Sequence, residues 1–163
     1  MTRTATSPLQ ITTPSDREVA MTRVFDAPRR LVFEAWTRPD LVKRWLGVRG
    51  GWSLAVCEID LEVGGRYRYV WQGPQGQEMG MGGVFKEIMP PERLVVTEKF
   101  DESWYPGEAI NTTVLTEHAG KTTMTLTMRY ASKEARDAVL ATPMATGMSE
   151  SFDTLAGVLA TLA

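Results

Sequence analysis

The sequence predicts an α+β domain in which a curved antiparallel sheet of seven strands wraps around a long C-terminal helix. Three observations lead to this fold class. Within residues 52–130, six consecutive segments alternate apolar and polar residues and are joined by short turn-forming links. After Ser132 the apolar period changes to three and four residues, which is typical of a helix. Gly80, Gly82 and Gly83 lie inside one predicted strand, where glycine permits a bulge or a sharp bend.

A strand and two short helices precede that run. The segment REVAMTRVF, from Arg17 to Phe25, alternates between two faces, which predicts the first strand. DAPRRLVFEAWT, residues 26–37, has apolar residues at helical spacing, and RPDLVKRWLG, residues 38–47, repeats the pattern before Gly47 stops it. We therefore expect two short helices, joined at Pro39, that close one end of the sheet.

The six later strands are expected to pair in order, as an antiparallel meander, because their links are short. The clearest alternation is in TTMTLTMRY, where Thr123 and Thr125 face water while Met124, Met128 and Tyr130 face inward. The expected strands are WSLAVCEIDL, RYRYVWQ, EMGMGGVFKEIM, RLVVTEKF, EAINTTVLTEH and KTTMTLTMRY.

The C-terminal part of the chain reads as helix. Ser132 is placed to cap a helix over SKEARDAVLA, and Pro143 either kinks that helix or begins the next one. A single apolar stripe then continues to the C-terminus, formed by Met144, Met148, Phe152, Leu155, Leu159 and Leu162. A sheet with one apolar face has to be covered, and curling around this helix is the economical way to cover it.

Composition and charge narrow the classes of function. Apolar residues make up 43% and charged residues 23% of the 163 residues, which is typical of a globular domain. The formal net charge is −2, so no positive field attracts nucleic acid or an anionic membrane. The sequence contains no run of 18 or more apolar residues, so insertion into a bilayer is not expected.

The single cysteine and the termini bear on location and boundaries. Cys57 has no partner for an internal disulfide, and no cluster of side chains has metal-ligand spacing, so we expect neither metal nor cofactor. The expected location is a reducing cytoplasm. Residues 1–16 are rich in Thr, Ser and Pro and are expected to form a disordered tail before a domain at residues 17–163. The sequence is compatible with a homodimer.

Four ordered motifs resemble a known family. They are FDAPRRLVFEAWTRPDLVKRWLG, EIDLEVGGRYRYV, GGVFKEIMPPERLVVT and ARDAVLATPMATGMSESFDTLAGVL. Together they resemble the domains similar to the C-terminal part of the activator of the heat-shock protein 90 ATPase, which belong to the START-like, helix-grip superfamily. The resemblance covers about Arg17 to Leu162 and implies the helix-grip fold. That superfamily includes lipid carriers, hormone receptors, polyketide cyclases and the chaperone activator, so the fold alone does not select a function.

The row of Tyr67, Tyr69 and Trp71 allows two readings. Aromatic and methionine side chains usually fill a core, and close packing is the rule in protein interiors. The helix-grip fold favours instead a cavity between the sheet and the C-terminal helix, because ligand pockets are mostly apolar with a few polar groups. The residues expected to line it are Trp45, Tyr67, Tyr69, Trp71, Met81, Phe100, Met124, Met128, Met148 and Phe152.

Few residues support catalysis. His118 lies at the end of a predicted hairpin, and Cys57 lies within a strand, where a packed thiol is the simpler interpretation. No catalytic residue is therefore predicted. Glu98 and Asn111 are the polar side chains that would orient a ligand or a water molecule if they face inward.

Three functions remain open from the sequence. The first is binding of a small hydrophobic molecule, aromatic or lipid-like, in the cavity. The second is a protein-binding module with a chaperone as partner, which would use an exposed apolar patch at Trp104 and Tyr105. The third is a cyclase or hydrolase that uses the same cavity with Glu98 or Asn111.

Overall fold

The computed structural model describes residues 9–162. This part of the chain forms eight strands and four helices. The strands are β1 (Gln10–Thr12), β2 (Glu18–Phe25), β3 (Ser53–Ile59), β4 (Arg66–Gln72), β5 (Glu78–Met89), β6 (Arg93–Phe100), β7 (Ala109–His118) and β8 (Lys121–Arg129). The helices are α1 (Arg29–Thr37), α2 (Pro39–Val42), α3 (Lys133–Leu140) and α4 (Met144–Leu162).

All strands belong to one antiparallel sheet with the order β1-β2-β8-β7-β6-β5-β4-β3. The meander predicted from β3 to β8 is confirmed. The first predicted strand, now β2, pairs with the last strand, β8, over its whole length from Glu18 to Phe25. The sheet is open, since β1 and β3 are its two edges.

The strand count differs from the prediction by one. Gln10 to Thr12 form an edge strand that pairs with Thr22 to Ala20, although they fall in the segment expected to be a disordered tail. All three residues are exposed, so β1 is held by backbone hydrogen bonds to the edge of β2 and leaves no apolar pattern in the sequence. The rest of the expected tail up to residue 8 lies outside the described residues.

Alternation along the strands separates a core face from a solvent face. In β8, Thr122, Met124, Leu126 and Met128 are buried while Thr123 and Arg129 are exposed. The register carries this face onto β7 and β2, because Met128 is opposite Asn111 on one side and Val19 on the other. The helices cover the same face.

Helices α3 and α4 are separate, with Pro143 between them. This is one of the two alternatives predicted from the sequence, in which Pro143 begins a new helix. Ser132 caps α3, since its Oγ accepts a hydrogen bond of 3.1 Å from the backbone N–H of Ala135. The buried residues of α4 begin only at Ser151, and Met144 and Met148 before it are half-buried. The first two turns of α4 therefore pack less closely than its remainder.

No helix among residues 9–162 has the length and the apolar character needed to cross a membrane.

Candidate functional site

Glu98 and Asn111 meet on the core face of neighbouring strands β6 and β7. The Asn111 Nδ2 donates a hydrogen bond of 2.9 Å to Glu98 Oε2. Burial raises the pKa of the Glu98 carboxyl group from its ordinary value of 4.5 to about 7, and the hydrogen bond from Asn111 partly opposes this rise. Glu98 nevertheless keeps some solvent-accessible surface. Part of Glu98 is therefore within reach of solvent, although its carboxyl group is largely surrounded by protein.

All four tyrosines of the chain lie within electrostatic reach of Glu98. Tyr67 and Tyr69 come from β4, and their ring centroids are 5.1 Å apart. Tyr105 from the β6–β7 connection packs edge to face on Tyr130, which follows β8, at 5.4 Å. Burial raises the pKa of all four phenols, and the charge of Glu98 adds to that rise. We call Glu98, Asn111 and these tyrosines the Glu98 cluster.

Two buried polar atoms in the Glu98 cluster have no hydrogen-bond partner among the described residues. They are Asn111 Oδ1 and Tyr105 Oη, on side chains that are 8% and 5% exposed. Reversing the Asn111 amide would leave Nδ2 unpaired instead, so one amide atom lacks a partner in either orientation. Buried polar groups are normally paired, and an unpaired one costs about 1–3 kcal/mol. The cluster therefore has two buried polar atoms whose hydrogen-bonding capacity is unused.

The remaining predicted site residues fall into two groups. Trp45, Met124 and Phe152 are fully buried in an aromatic core at the end of the sheet closed by α1 and α2. There Trp45 packs 4.8 Å from Trp36, and its indole N–H donates to the Ala35 carbonyl oxygen at 3.0 Å. The indole N–H of Trp36 points to Met124 Sδ at 3.2 Å. This group is tightly packed by its own neighbours.

The second group lies closer to the Glu98 cluster. Trp71 continues the tyrosine row on β4, 5.8 Å from Tyr69, and donates to the Leu46 carbonyl oxygen. Met81 is opposite Tyr69 and Phe100 in the sheet. Met128 Sδ accepts a hydrogen bond from the Tyr130 hydroxyl.

An open groove of about 650 Å³ lies on the sheet beside Tyr67, which is the one member of the Glu98 cluster among its lining residues. The β5–β6 ladder is registered at Gly82–Lys99 and again at Phe85–Val96, with an interval between these pairs. Two residues of the predicted cavity, Tyr67 and Phe100, line this groove beside exposed charged residues. The charged residues on its walls are Glu58, Arg66, Arg68, Lys99, Asp101 and Glu108.

Tyr105 and Tyr130 were not among the predicted site residues. The sequence predicted that Tyr130 faces inward, because it is the last inward position of the clearest alternating segment. Tyr105 was expected on an exposed patch with Trp104, and that expectation is wrong. Its ring is 5% exposed because it packs against Tyr130, whereas Trp104 is 48% exposed.

The other reactive side chains lie elsewhere. His118 is at the β7–β8 hairpin, where Ala119 and Gly120 have positive φ. Cys57 is buried, and burial raises the pKa of its thiol to about 11. In contrast, a carboxyl group with a pKa near 7, such as that of Glu98, can exchange a proton near neutral pH.

An open antiparallel sheet, two short helices after its second strand and a long C-terminal helix define a START-like, helix-grip protein. The family described as Activator of Hsp90 ATPase homolog 1-like protein matches residues 26–160, and the chain belongs to this family. The resemblance stated from the motifs is thereby confirmed. No match was found among curated proteins.

Solved structures agree with this assignment. A Rhodobacter sphaeroides protein is 36% identical, with 94% of this chain and 99% of that chain covered and a TM-score of 0.89. An Arthrobacter aurescens protein is 25% identical, with 93% and 91% covered and a TM-score of 0.82. A Mycobacterium smegmatis protein is 24% identical, with 96% and 98% covered and a TM-score of 0.81, which shows a common fold.

Proposed function

We propose that the protein binds a small hydrophobic molecule against the Glu98 cluster, between the sheet and the first two turns of α4. The unpaired atoms Asn111 Oδ1 and Tyr105 Oη are the observation that carries this proposal. A bound molecule with a polar group would supply the partner that they lack. The tyrosine rings would contact its apolar body, and apolar surface removed from water contributes about 25 cal/mol per Å² before ordering costs.

The arrangement of α4 supports the same location. From Ser151 onward the helix is buried against the core, but Met144 and Met148 are half-buried. Methionine side chains are flexible and adapt to ligands of different shape. The fully buried Trp45, Met124 and Phe152 would then form the rigid end of the domain and would not contact the ligand.

A neutral fluorescent probe, N-phenyl-1-naphthylamine, tests this function. We expect saturable fluorescence enhancement with the wild-type protein, and an affinity about tenfold or more lower for Met148→Glu, because a charge in an apolar site is costly. Met89→Glu is the matched control, since Met89 is 45% exposed at the end of β5 and should bind the probe normally. Melting temperatures identify variants that have lost their fold. Absence of saturable binding, or an unchanged affinity in folded Met148→Glu, would exclude this site.

A second candidate is binding to a chaperone of the heat-shock protein 90 type, and the exposed Trp104 favours it. Trp104 is 48% exposed and is held by Phe100 at 5.0 Å and Tyr105 at 5.2 Å. An exposed tryptophan beside other aromatic rings is typical of a protein-binding hot spot. Retention on immobilised heat-shock protein 90 should be lost in Trp104→Ala and kept in Leu140→Ala, whose leucine is 40% exposed. Equal retention of both variants would reject this candidate.

A further inference from the structure

Glu98 is an enclosed carboxyl group without a cationic partner. None of the ion pairs formed among residues 9–162 includes it. Its one side-chain hydrogen bond in this region comes from the neutral amide of Asn111. Buried charges in proteins are normally paired, because an isolated one is expensive to remove from water. The Glu98 carboxylate therefore lacks a positive charge beside it.

The side chains that face Glu98 from the neighbouring elements do not supply that charge. Titratable groups surround it from β4, from the β6–β7 connection and from the segment after β8, and all of them are acids. They are Tyr67, Tyr69, Tyr105 and Tyr130, and a further acid, Glu108, acts on Tyr67. A ligand carboxylate placed here would add a second negative charge next to Glu98, and like charges at short range repel.

The same side chains suit a positive charge. The faces of tyrosine rings attract cations, an interaction worth about 0.5–2 kcal/mol that increases when water is removed. In its assigned orientation, Asn111 Oδ1 is a hydrogen-bond acceptor without a donor among residues 9–162. An ammonium group has N–H donors and no acceptor, so one group could satisfy both the carboxylate and the amide oxygen.

We propose that the ligand of the Glu98 cluster carries a protonated amine on an apolar or aromatic body. The ammonium group pairs with the Glu98 carboxylate and donates to Asn111 Oδ1, while the tyrosine rings contact the cation and the adjoining apolar part. This inference rests on the proposed function and adds the charge class of the ligand. It also predicts that amine binding displaces a proton from Glu98 when the carboxyl group is protonated beforehand.

Three matched compounds test the charge class with the wild-type protein. They are 2-phenylethylamine, 2-phenylethanol and 3-phenylpropanoate, which share a phenylethyl body and differ in a cationic, neutral or anionic end. In displacement of N-phenyl-1-naphthylamine we expect the amine to act at a concentration about tenfold lower than the alcohol, and the acid to be weakest. If the probe binds but the alcohol or the acid matches the amine, the inference fails and the binding function stands. If neither probe nor compounds bind, the function itself fails.

Glu98→Gln separates the charge from the shape of the site. The glutamine retains a hydrogen-bond acceptor for Asn111, so the variant should lose the roughly tenfold preference for the amine over the alcohol. Glu62→Gln makes the same charge change at an exposed position and should keep the preference. An amine preference that survives in folded Glu98→Gln would overturn the proposal.

Proton release is a second readout that needs no variant. Calorimetric titration at about pH 6.5 in two buffers with different ionisation enthalpies should show release of a fraction of a proton on amine binding. The alcohol should show none. Equal heats for the amine in both buffers would contradict pairing with Glu98.

Discussion

The hydroxyl group of Tyr67 on β4 donates a hydrogen bond of 2.6 Å to the carbonyl oxygen of Thr97 on β6, across the intervening strand β5. At the same place the backbone N–H of Val84 donates to Thr97 Oγ1 at 2.9 Å. Thr97 thus accepts one hydrogen bond from a side chain, that of Tyr67, and one from the backbone of Val84. Both lie where the pairing between β5 and β6 is interrupted. This contact ties the tyrosine row to the strand that carries Glu98.

Gly83 should be essential for this contact. A Cβ added at Gly83 would overlap the Thr97 carbonyl oxygen, which belongs to the backbone and cannot move aside. We expect Gly83→Ala to lower the free energy of unfolding by about 2–3 kcal/mol or more, measured by urea denaturation. Gly157→Ala on α4 is the control, because a Cβ added there would meet no atom within 4 Å. Alanine favours a helix more than glycine does, so this substitution should raise the free energy of unfolding by up to about 1 kcal/mol. Equal effects of the two changes would contradict the close approach at Gly83.

Glu98 should make stability fall as pH rises. Its carboxyl group holds a proton in the folded state up to a pKa of about 7, while the unfolded chain releases it near 4.5. Because the folded state binds more protons in this interval, the free energy of unfolding decreases from about pH 4.5 to 7. At about 1.4 kcal/mol per pKa unit the loss is at most about 3–4 kcal/mol.

Urea denaturation of wild type and Glu98→Gln across this interval measures the effect. The variant should lack the decrease attributed to Glu98. Its free energy of unfolding minus that of wild type should therefore be more favourable at pH 8 than at pH 4.5. The exposed Glu62→Gln should follow wild type. Parallel curves for wild type and Glu98→Gln would show that this carboxyl group is not shielded from water.

Arg23 and Asp153 join β2 to α4 by a salt bridge of 2.9 Å that is unequal in burial. The Arg23 side chain is 1% exposed and that of Asp153 is 64% exposed, and Arg23 Nε and Nη2 have no partner among the described residues. Removing the aspartate leaves a buried charge without compensation, whereas removing the arginine leaves a carboxylate in water. We expect Asp153→Ala to cost about 3 kcal/mol and to be partly rescued by adding Arg23→Met.

Thermal and urea unfolding of the two single variants and the double variant measure this asymmetry. Glu87→Ala breaks the half-exposed pair with Arg93 and should change stability by less than about 1 kcal/mol. A double variant less stable than Asp153→Ala alone would contradict the account of Arg23 as a buried charge.

Cys57 should react slowly with thiol reagents in the folded protein. Its side chain is 9% exposed, and burial raises the pKa of the thiol to about 11, so little thiolate forms at about pH 8. We expect slow reaction with Ellman's reagent, followed by complete reaction of one thiol per chain in urea. Rapid reaction without denaturant would show that β3 opens at this position.

Much of the fold followed from local patterns, because each strand has one face in water. β4, β5 and β6 have the bounds of the predicted segments, and Thr123, Thr125 and Thr127 alternate with buried neighbours as expected. β1 was missed because its three residues are all exposed. Backbone pairing at a sheet edge leaves no trace in apolar periodicity.

The site was less accessible to sequence reasoning. An inward aromatic residue has the same pattern whether it fills a core, like Trp45, or lies beside an incomplete polar group, like Tyr69. The pairing of Glu98 with Asn111 depends on the register between β6 and β7, which brings Val96 and Asn111 opposite each other. Tyr105 lies in an irregular connection, where no periodicity indicates burial.

Titration of ¹⁵N-labelled protein with 2-phenylethylamine, followed by amide chemical shifts, tests the central claim most directly. We predict saturable shifts at Glu98, Asn111, Tyr105 and Tyr130, with Ala35 and Trp45 in the aromatic core unaffected. Shifts that do not saturate, or that appear only on the outer face around Lys99 and Asp101, would contradict a binding site at the Glu98 cluster.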